Sequence, residues 1–334
     1  MRIARLLLPF GLMVGCAPSQ SQAEPEGPRL SFPVACKIGQ TCEIQNYVDR
    51  DPGPGAKDYR CGPRTYEAHN GVDIRLQNMV AQRAGVDVLA AAAGKVARLR
   101  DGVADISVKA ADAPPATGAE CGNGLVLDHG NGWETQYCHL AKGSLKVKAG
   151  DLVTAGQPIA RIGLSGNTEY PHLHITVRHG GAVVDPFAPT AAAGSCDVAA
   201  TSGQGLWDTA AAKAMGYQSG AVLNAGFASA AVTPDGLEAG TVAAAGSAAP
   251  ALVAYVRAID LDKGDEQMLV LKDPAGAVLA QSKLPPLASS KAQYLIYVGK
   301  ARPAAGWAPG VYSASYTVLR AGKAAVSRSF QIRL

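Results

Sequence analysis

His172-Leu173-His174-Ile175-Thr176-Val177 alternates polar with aliphatic side chains at every step. Successive side chains of a β-strand face opposite ways, so His172, His174 and Thr176 share one face while Leu173, Ile175 and Val177 share the other. The aliphatic face needs a core, and the polar face sends two imidazoles side by side into a cleft. Histidines on a polar strand face can simply be solvated. Two of them backed by an unbroken aliphatic face favour a metal or catalytic site instead.

Outward from this strand, short apolar runs broken by Gly, Pro, Asn and Asp recur, and no segment with helical period dominates. The pattern predicts an all-β chain. Strands are expected at 86–92, 96–99, 125–128, 133–138, 152–153, 158–162 and 173–177, with a hairpin turning at Asn131-Gly132. Residues 191–217 are rich in Ala, Gly, Ser and Thr and read as a linker. A second set of strands follows at 251–259, 267–271, 278–282, 294–298, 312–319 and 326–332, separated by turns such as Asp273-Pro274-Ala275-Gly276, which suggests a small β-sandwich over 218–334.

The composition agrees with a folded, turn-rich chain of two domains: 334 residues, 48% hydrophobic, 17% charged, with 38 Gly and 21 Pro. The net charge of +4 is spread along the chain without a Lys/Arg block, which argues against nucleic acid as a partner. Arg2 and Arg5 precede the apolar run Leu6 to Val14, too short to span a bilayer but suited to a signal peptide over residues 1–15. Gly15-Cys16 resembles a lipobox, which makes Cys16 the expected lipidation site; ordinary cleavage after Ser21-Gln22-Ala23 is the alternative. Lipidation of Cys16 leaves six of seven cysteines, Cys36, Cys42, Cys61, Cys121, Cys138 and Cys196, an even set for disulfides in an exported protein. Cys121 and Cys138 flank the hairpin and could meet across its base.

All six histidines lie between residues 69 and 179. His69-Asn70-Gly71-Val72-Asp73 supplies an imidazole and a carboxylate, both good zinc ligands, in a turn entering a strand. Tyr137-Cys138-His139-Leu140 ends the hairpin, and His139 alone would carry no assignment. His129 and His179 read as surface residues.

Taken together and in order, His69-x-x-x-Asp73, Tyr137-x-His139-Leu140 and His172-x-His174 resemble the lysostaphin/LytM-type zinc metallopeptidases that degrade peptidoglycan. Asp128-His129-Gly130-Asn131-Gly132, Val147-x-x-Gly150-Asp151-x-Val153-x-x-Gly156 and Gly163-x-Ser165-Gly166-Asn167 agree with that family. The resemblance covers residues 66–187. It implies a LytM-type β-sheet peptidase domain, a duplicated hybrid motif, over 61–190, with residues 16–60 packing on it as a Cys-containing segment.

The resemblance also implies one zinc ion per chain held by His69, Asp73 and His174, with His139 and His172 acting on substrate and water. Zinc lowers the pKa of water it binds to ~7. The chain has no His-Glu-x-x-His element, so an unligated histidine is the natural proton acceptor. His139 is assigned as general base and His172 as the group steadying the oxyanion; the residues allow the two roles to be exchanged.

The expected activity is an endopeptidase cutting peptide cross-links of bacterial peptidoglycan, with its stem peptides as substrate. The expected location is the cell envelope, as an outer-membrane lipoprotein facing the periplasm and held to the membrane by its lipid. A protein partner for the C-terminal domain is one reading of that half, a purely structural module the other. Two alternatives act on the same polymer, a non-catalytic regulator of cell-wall amidases and a zinc D,D-carboxypeptidase. A lipoyl-type carrier is disfavoured because no modifiable Lys sits at a suitable hairpin tip. Residues 101–121 form a longer loop than the family usually has, and Glu169-Tyr170 stand where it has small residues.

Overall fold

In the computed structural model, residues 27–334 are described except 112, 193 and 198–204. The signal segment and Cys16 lie outside the described residues.

The first half contains β1 (Cys42–Asn46), β2 (Val72–Leu76), the short helix α1 (Met79–Ala84), β3 (Asp87–Leu89), β4 (Gly94–Arg100), β5 (Asn123–Asp128), β6 (Trp133–Leu140), β7 (Leu152–Val153), β8 (Pro158–Arg161), β9 (His172–His179) and β10 (Ala182–Val184). Its main sheet runs β1-β2-β9-β6-β5-β4-β7, with β10 also on β9, and β3 pairs with β8 in a separate ladder. Every one of these pairings is antiparallel. Leu173, Ile175 and Val177 of β9 are fully buried in one core with Val72 and Ile74 of β2, Leu125 and Leu127 of β5, and Val88, Ile159 and Ala160 of the small ladder. Their burial is what commits the opposite face of β9 to the cleft. Asn131 (φ 50°) and Gly132 (φ 81°) both take left-handed conformations at the β5–β6 turn, as a tight hairpin requires.

Disulfides join Cys121 to Cys138 beside this hairpin, Cys36 to Cys42 at the sheet edge and Cys61 to Cys196. Residues 42–46, within the segment expected only to pack on the peptidase domain, are a hydrogen-bonded strand of its sheet. The 191–217 stretch also differs from a free linker. Leu206, Trp207, Ala211, Ala212 and Met215 are buried in the first core, and Cys196 is tied to Cys61. Small residues misled the reading here, because Ala packs as readily as it solvates. The stretch contains helix α2 (Thr209–Ala214), whose N-cap Asp208 accepts from Ala211 N–H.

The C-terminal half adds β11 (Ala221–Ala228), α3 (Pro234–Ala239), β12 (Ala251–Leu261), β13 (Glu266–Lys272), β14 (Val278–Lys283), β15 (Lys291–Ala301), β16 (Val311–Arg320) and β17 (Lys323–Arg333). A three-stranded sheet, β11-β12-β15, and a four-stranded one, β14-β13-β16-β17, share one core of which Leu252, Val256, Ile296, Leu269, Leu271 and Tyr316 are members. This is a β-sandwich. Strand β11, rich in Ala and Gly, had no β-branched signal strong enough to announce it.

The halves meet along a polar seam. Arg64 pairs with Asp260 at 2.9 Å, both side chains buried. Gln45 Nε2 donates to Asp260 Oδ1 and to the Ala292 carbonyl, each at 3.2 Å. Arg257 Nη2 donates to the Gln77 carbonyl at 2.5 Å.

Candidate metal centre

Strands β2 and β9 lie side by side with Asp73 opposite His174 and Arg75 opposite His172. That register sets Asp73 against both histidines of β9: its Oδ1 is 2.9 Å from His174 Nδ1 and 3.5 Å from His172 Nε2. His69, on the turn before β2, reaches Asp73 Oδ2 with Nε2 at 3.2 Å. Gly71 makes the turn feasible, since a Cβ there would lie 2.5 Å from His174 Nε2 and 2.7 Å from the Ile175 carbonyl oxygen. The ligating atoms of His69, Asp73 and His174 all fall within 4.8 Å of one another, and the three could hold a metal ion.

Hydrogen bonds on the outer sides of the rings decide which nitrogens face inward. His69 Nδ1 lies 2.6 Å from the Tyr47 carbonyl, which only accepts, so Nδ1 carries the proton and Nε2 presents a lone pair. His174 Nε2 lies 3.0 Å from Asn70 Oδ1, so Nε2 donates and Nδ1 presents its lone pair. These two lone pairs face each other at 3.2 Å beside a buried carboxylate. Only a shared proton or a cation relieves that arrangement. Burial works against charge on His69, but the Asp73 carboxylate outweighs it and holds the imidazole above its usual value. Burial holds His174 below its own. Two imidazoles whose outer nitrogens are held by hydrogen bonds, leaving the inner ones free to ligate, and one buried carboxylate suit Zn2+.

His139 and His172 stand beside this group with ring centroids 4.6 Å apart. His139, the penultimate residue of β6, has φ 60°, a left-handed conformation uncommon for residues other than Gly. It is locked there by three bonds: its N–H donates to the Cys121 carbonyl at 2.8 Å, its carbonyl accepts from Gly163 at 2.9 Å, and Nδ1 donates to the Ser165 carbonyl at 2.8 Å. Burial, then the neighbouring His172 and His174, hold its pKa well below the usual histidine value. A neutral ring with Nδ1 donating keeps Nε2 as a proton acceptor. His172 Nδ1 donates to the Tyr170 carbonyl at 3.0 Å, with Thr168 Oγ1 at 3.1 Å.

Of the two histidines expected at the surface, His179 is exposed and stacks on Trp133 at 4.3 Å, whereas His129 is half-buried and bonds to the Ala93 carbonyl and to Thr135; both lie away from this site. A cleft of about 730 Å3 opens on Asp73, His139 and His172, and a neighbouring one of about 310 Å3 on His69, His139 and His174. The larger is walled on one side by Tyr66, Thr168 and Tyr170 and on the other by Asp260, Lys291 and Gln293 of the C-terminal half.

Sequence reasoning missed Arg75. Asp73 and Arg75 share a strand face by the same period-2 rule that selected His172 and His174, so the signal was present. It passed unnoticed because a lone Arg on a strand ordinarily points to solvent, whereas this one is 2% exposed.

The model of peptidase family M23 matches residues 67–186, the stretch that carries all five of these side chains. The peptidoglycan DD-endopeptidases ShyB and ShyA of Vibrio cholerae serotype O1 are 46% and 52% identical over 56 residues, covering 17% and 16% of this chain and 13% and 12% of theirs. The DD-carboxypeptidase/endopeptidase Mpg of Neisseria meningitidis serogroup B is 36% identical over 86 residues, 25% of this chain and 19% of its own. The matched stretch thus spans under a fifth of each of these three relatives. Residues 67–186 of this chain, with their paired histidine strand and buried aspartate, form a peptidase family M23 domain.

Proposed function

We propose that the chain is a zinc-dependent endopeptidase that hydrolyses peptide cross-links of bacterial peptidoglycan. The observation that carries this reading is the convergence of His69 Nε2, Asp73 and His174 Nδ1 beside two further histidines that are oriented yet outside the ligand group. Zinc held by the three would supply a Lewis acid for the scissile carbonyl and water of lowered pKa. His139, neutral and fixed by the Ser165 carbonyl, takes the proton from the attacking water at Nε2 and returns it to the leaving amine. His172 points Nε2 toward the Asp73 side of the same group; with both ring nitrogens protonated, it donates from Nε2 to the oxyanion developing on the carbonyl oxygen while Nδ1 stays on the Tyr170 carbonyl. The two clefts that meet at His139 leave room for peptide on either side of the bond cut.

The names of these relatives support peptidoglycan as substrate. Mpg's name also supports a second reading, removal of a terminal residue as a carboxypeptidase. Incubating the zinc-loaded protein with purified peptidoglycan and identifying the released muropeptides by mass spectrometry tests both. Cross-linked dimers converted to monomers support the endopeptidase, shortened monomers alone support the carboxypeptidase, and an unchanged profile rejects both. We further place the protein in the cell envelope, exported by residues 1–15 and anchored through lipid on Cys16. No helix among the described residues is long and apolar enough to cross a membrane.

A further inference from the structure

We propose that Arg75 is a positioning residue through which the C-terminal domain sets the posture of His172, making that domain a working part of the active site. The inference rests on the hydrolytic reading above. Arg75 follows Asp73 by two residues on β2 and lies opposite His172 in the β2–β9 register, with its guanidinium wholly out of solvent. A buried guanidinium has to be paired, and here the partners come from both halves. Nη1 donates to Gln45 Oε1 at 2.8 Å, and Nη2 donates to Glu238 Oε2 at 2.9 Å and to Gln293 Oε1 at 3.2 Å. Glu238 and Gln293 belong to α3 and β15 of the C-terminal domain. Arg257 of β12 holds the same Glu238 oxygen at 2.6 Å, so the carboxylate is clamped between two guanidiniums.

The other face of Arg75 carries the connection inward. Its guanidinium carbon sits 3.7 Å from the centroid of the Tyr170 ring, a close cation–π contact. Tyr170 precedes Pro171-His172, its ring lies 5.3 Å from the His172 ring, and its carbonyl accepts the His172 Nδ1 proton. A chain of direct contacts therefore runs from Glu238 and Gln293 through Arg75 and Tyr170 to His172. Asp73 sits beside its end. An ion pair that merely glued two domains together would have no need of the Tyr170 ring or of a place on the metal-site strand.

The test uses the full-length, zinc-loaded protein with Glu238→Gln and Gln293→Ala, both outside the peptidase domain, and Tyr170→Ala with Tyr170→Phe as its conservative partner. Zinc content, kcat and KM on a cross-linked muropeptide, and the 15N shifts of the His172 ring are measured for each. The expected result is intact zinc, a fall in kcat of about tenfold and a moved His172 Nδ1 signal in Glu238→Gln, Gln293→Ala and Tyr170→Ala, with KM nearly unchanged in Glu238→Gln, whose side chain does not line the cleft. Tyr170→Phe keeps the ring face and backbone and restores the wild-type His172 Nδ1 signal that Tyr170→Ala moves. Unmoved His172 signals in both C-terminal variants overturn the proposal, whatever their thermal stability. If the wild-type protein fails to cut the muropeptide, the hydrolytic reading falls, and the ring shifts still decide whether the C-terminal domain holds His172 through Arg75.

Discussion

The two halves are built from similar antiparallel strands yet fill their interiors differently. Among the described residues the first half buries sixteen polar or charged side chains and the C-terminal half four, and two of those four, Arg257 and Asp260, bond to the first half at the seam. Among the described residues all three disulfides lie in the first half and its connector, and none in the sandwich. Burying polar groups costs free energy unless each finds a partner, and the partners must be held still to count. The sandwich core is aliphatic and aromatic, and its own two buried polar side chains are each paired inside it, Gln267 with the Tyr316 hydroxyl and Asp265 with Arg320. The peptidase half gives up some of that packing to present histidines and a carboxylate in a dry cleft, and its cross-links offset the loss.

The comparison breaks most sharply at the site itself. Replacing His69, Asp73 or His174 by Ala should strip the zinc and abolish activity, while His139→Ala and His172→Ala should retain it and lose activity by a factor of ~100 or more. Atomic absorption on the purified variants, set beside their hydrolysis rates, sorts ligands from catalysts. Equal zinc content across all five would place the metal elsewhere.

A smaller effect separates the halves by stability. Cys61 and Cys196 lie 135 residues apart in sequence, so the disulfide between them closes most of the peptidase half into one loop. The double variant Cys61→Ser/Cys196→Ser should destabilise that half by roughly 4 kcal/mol, with the sandwich unaffected. Hydrogen exchange read peptide by peptide checks this, and equal loss of protection in β12 and β16 would mean that the halves unfold as one unit.

The smallest effect lies at the seam. Burial raises the pKa of Glu43 from its ordinary 4.5 to about 7 against the pull of Arg64, and raises that of Asp260 to about 6. The native state then keeps the Glu43 proton over a range in which the unfolded chain has lost it. Stability therefore falls as pH rises from 4.5 to about 7, and the loss is complete above that window. Glu43→Gln should flatten the slope and leave the protein more stable at pH 8 by on the order of 2 kcal/mol, with little change at pH 4. Melting temperatures of both proteins across this range decide the point, and parallel curves would show that Glu43 is ionised at no cost.

Much of this was legible one residue at a time. The period-2 alternation of 172–177 selects the cleft face and the core face because a strand has no other way to place its side chains. The Asn131-Gly132 turn and the all-β character follow from equally local rules, as does the reach of Cys121 to Cys138 across the hairpin. The seven strands of the sandwich were visible except β11, whose Ala and Gly residues gain their strand conformation from the neighbour β12 rather than from their own propensity. The stretch 191–217 failed for the same reason in reverse, since burial of Leu206, Trp207 and Met215 depends on a core assembled by residues far away in sequence.

What the chain determined by itself is which side chains can share a face: His172 with His174, Asp73 with Arg75, each pair two positions apart on a strand. What only the tertiary structure decided is which faces meet. The β2–β9 register sets Asp73 against His174, the left-handed backbone at His139 turns its ring toward His172, and the docking of the sandwich buries Arg75. Strand geometry is a matter of neighbouring residues. Register, docking and burial sum many weak contacts between distant segments, and no short stretch of sequence contains that sum.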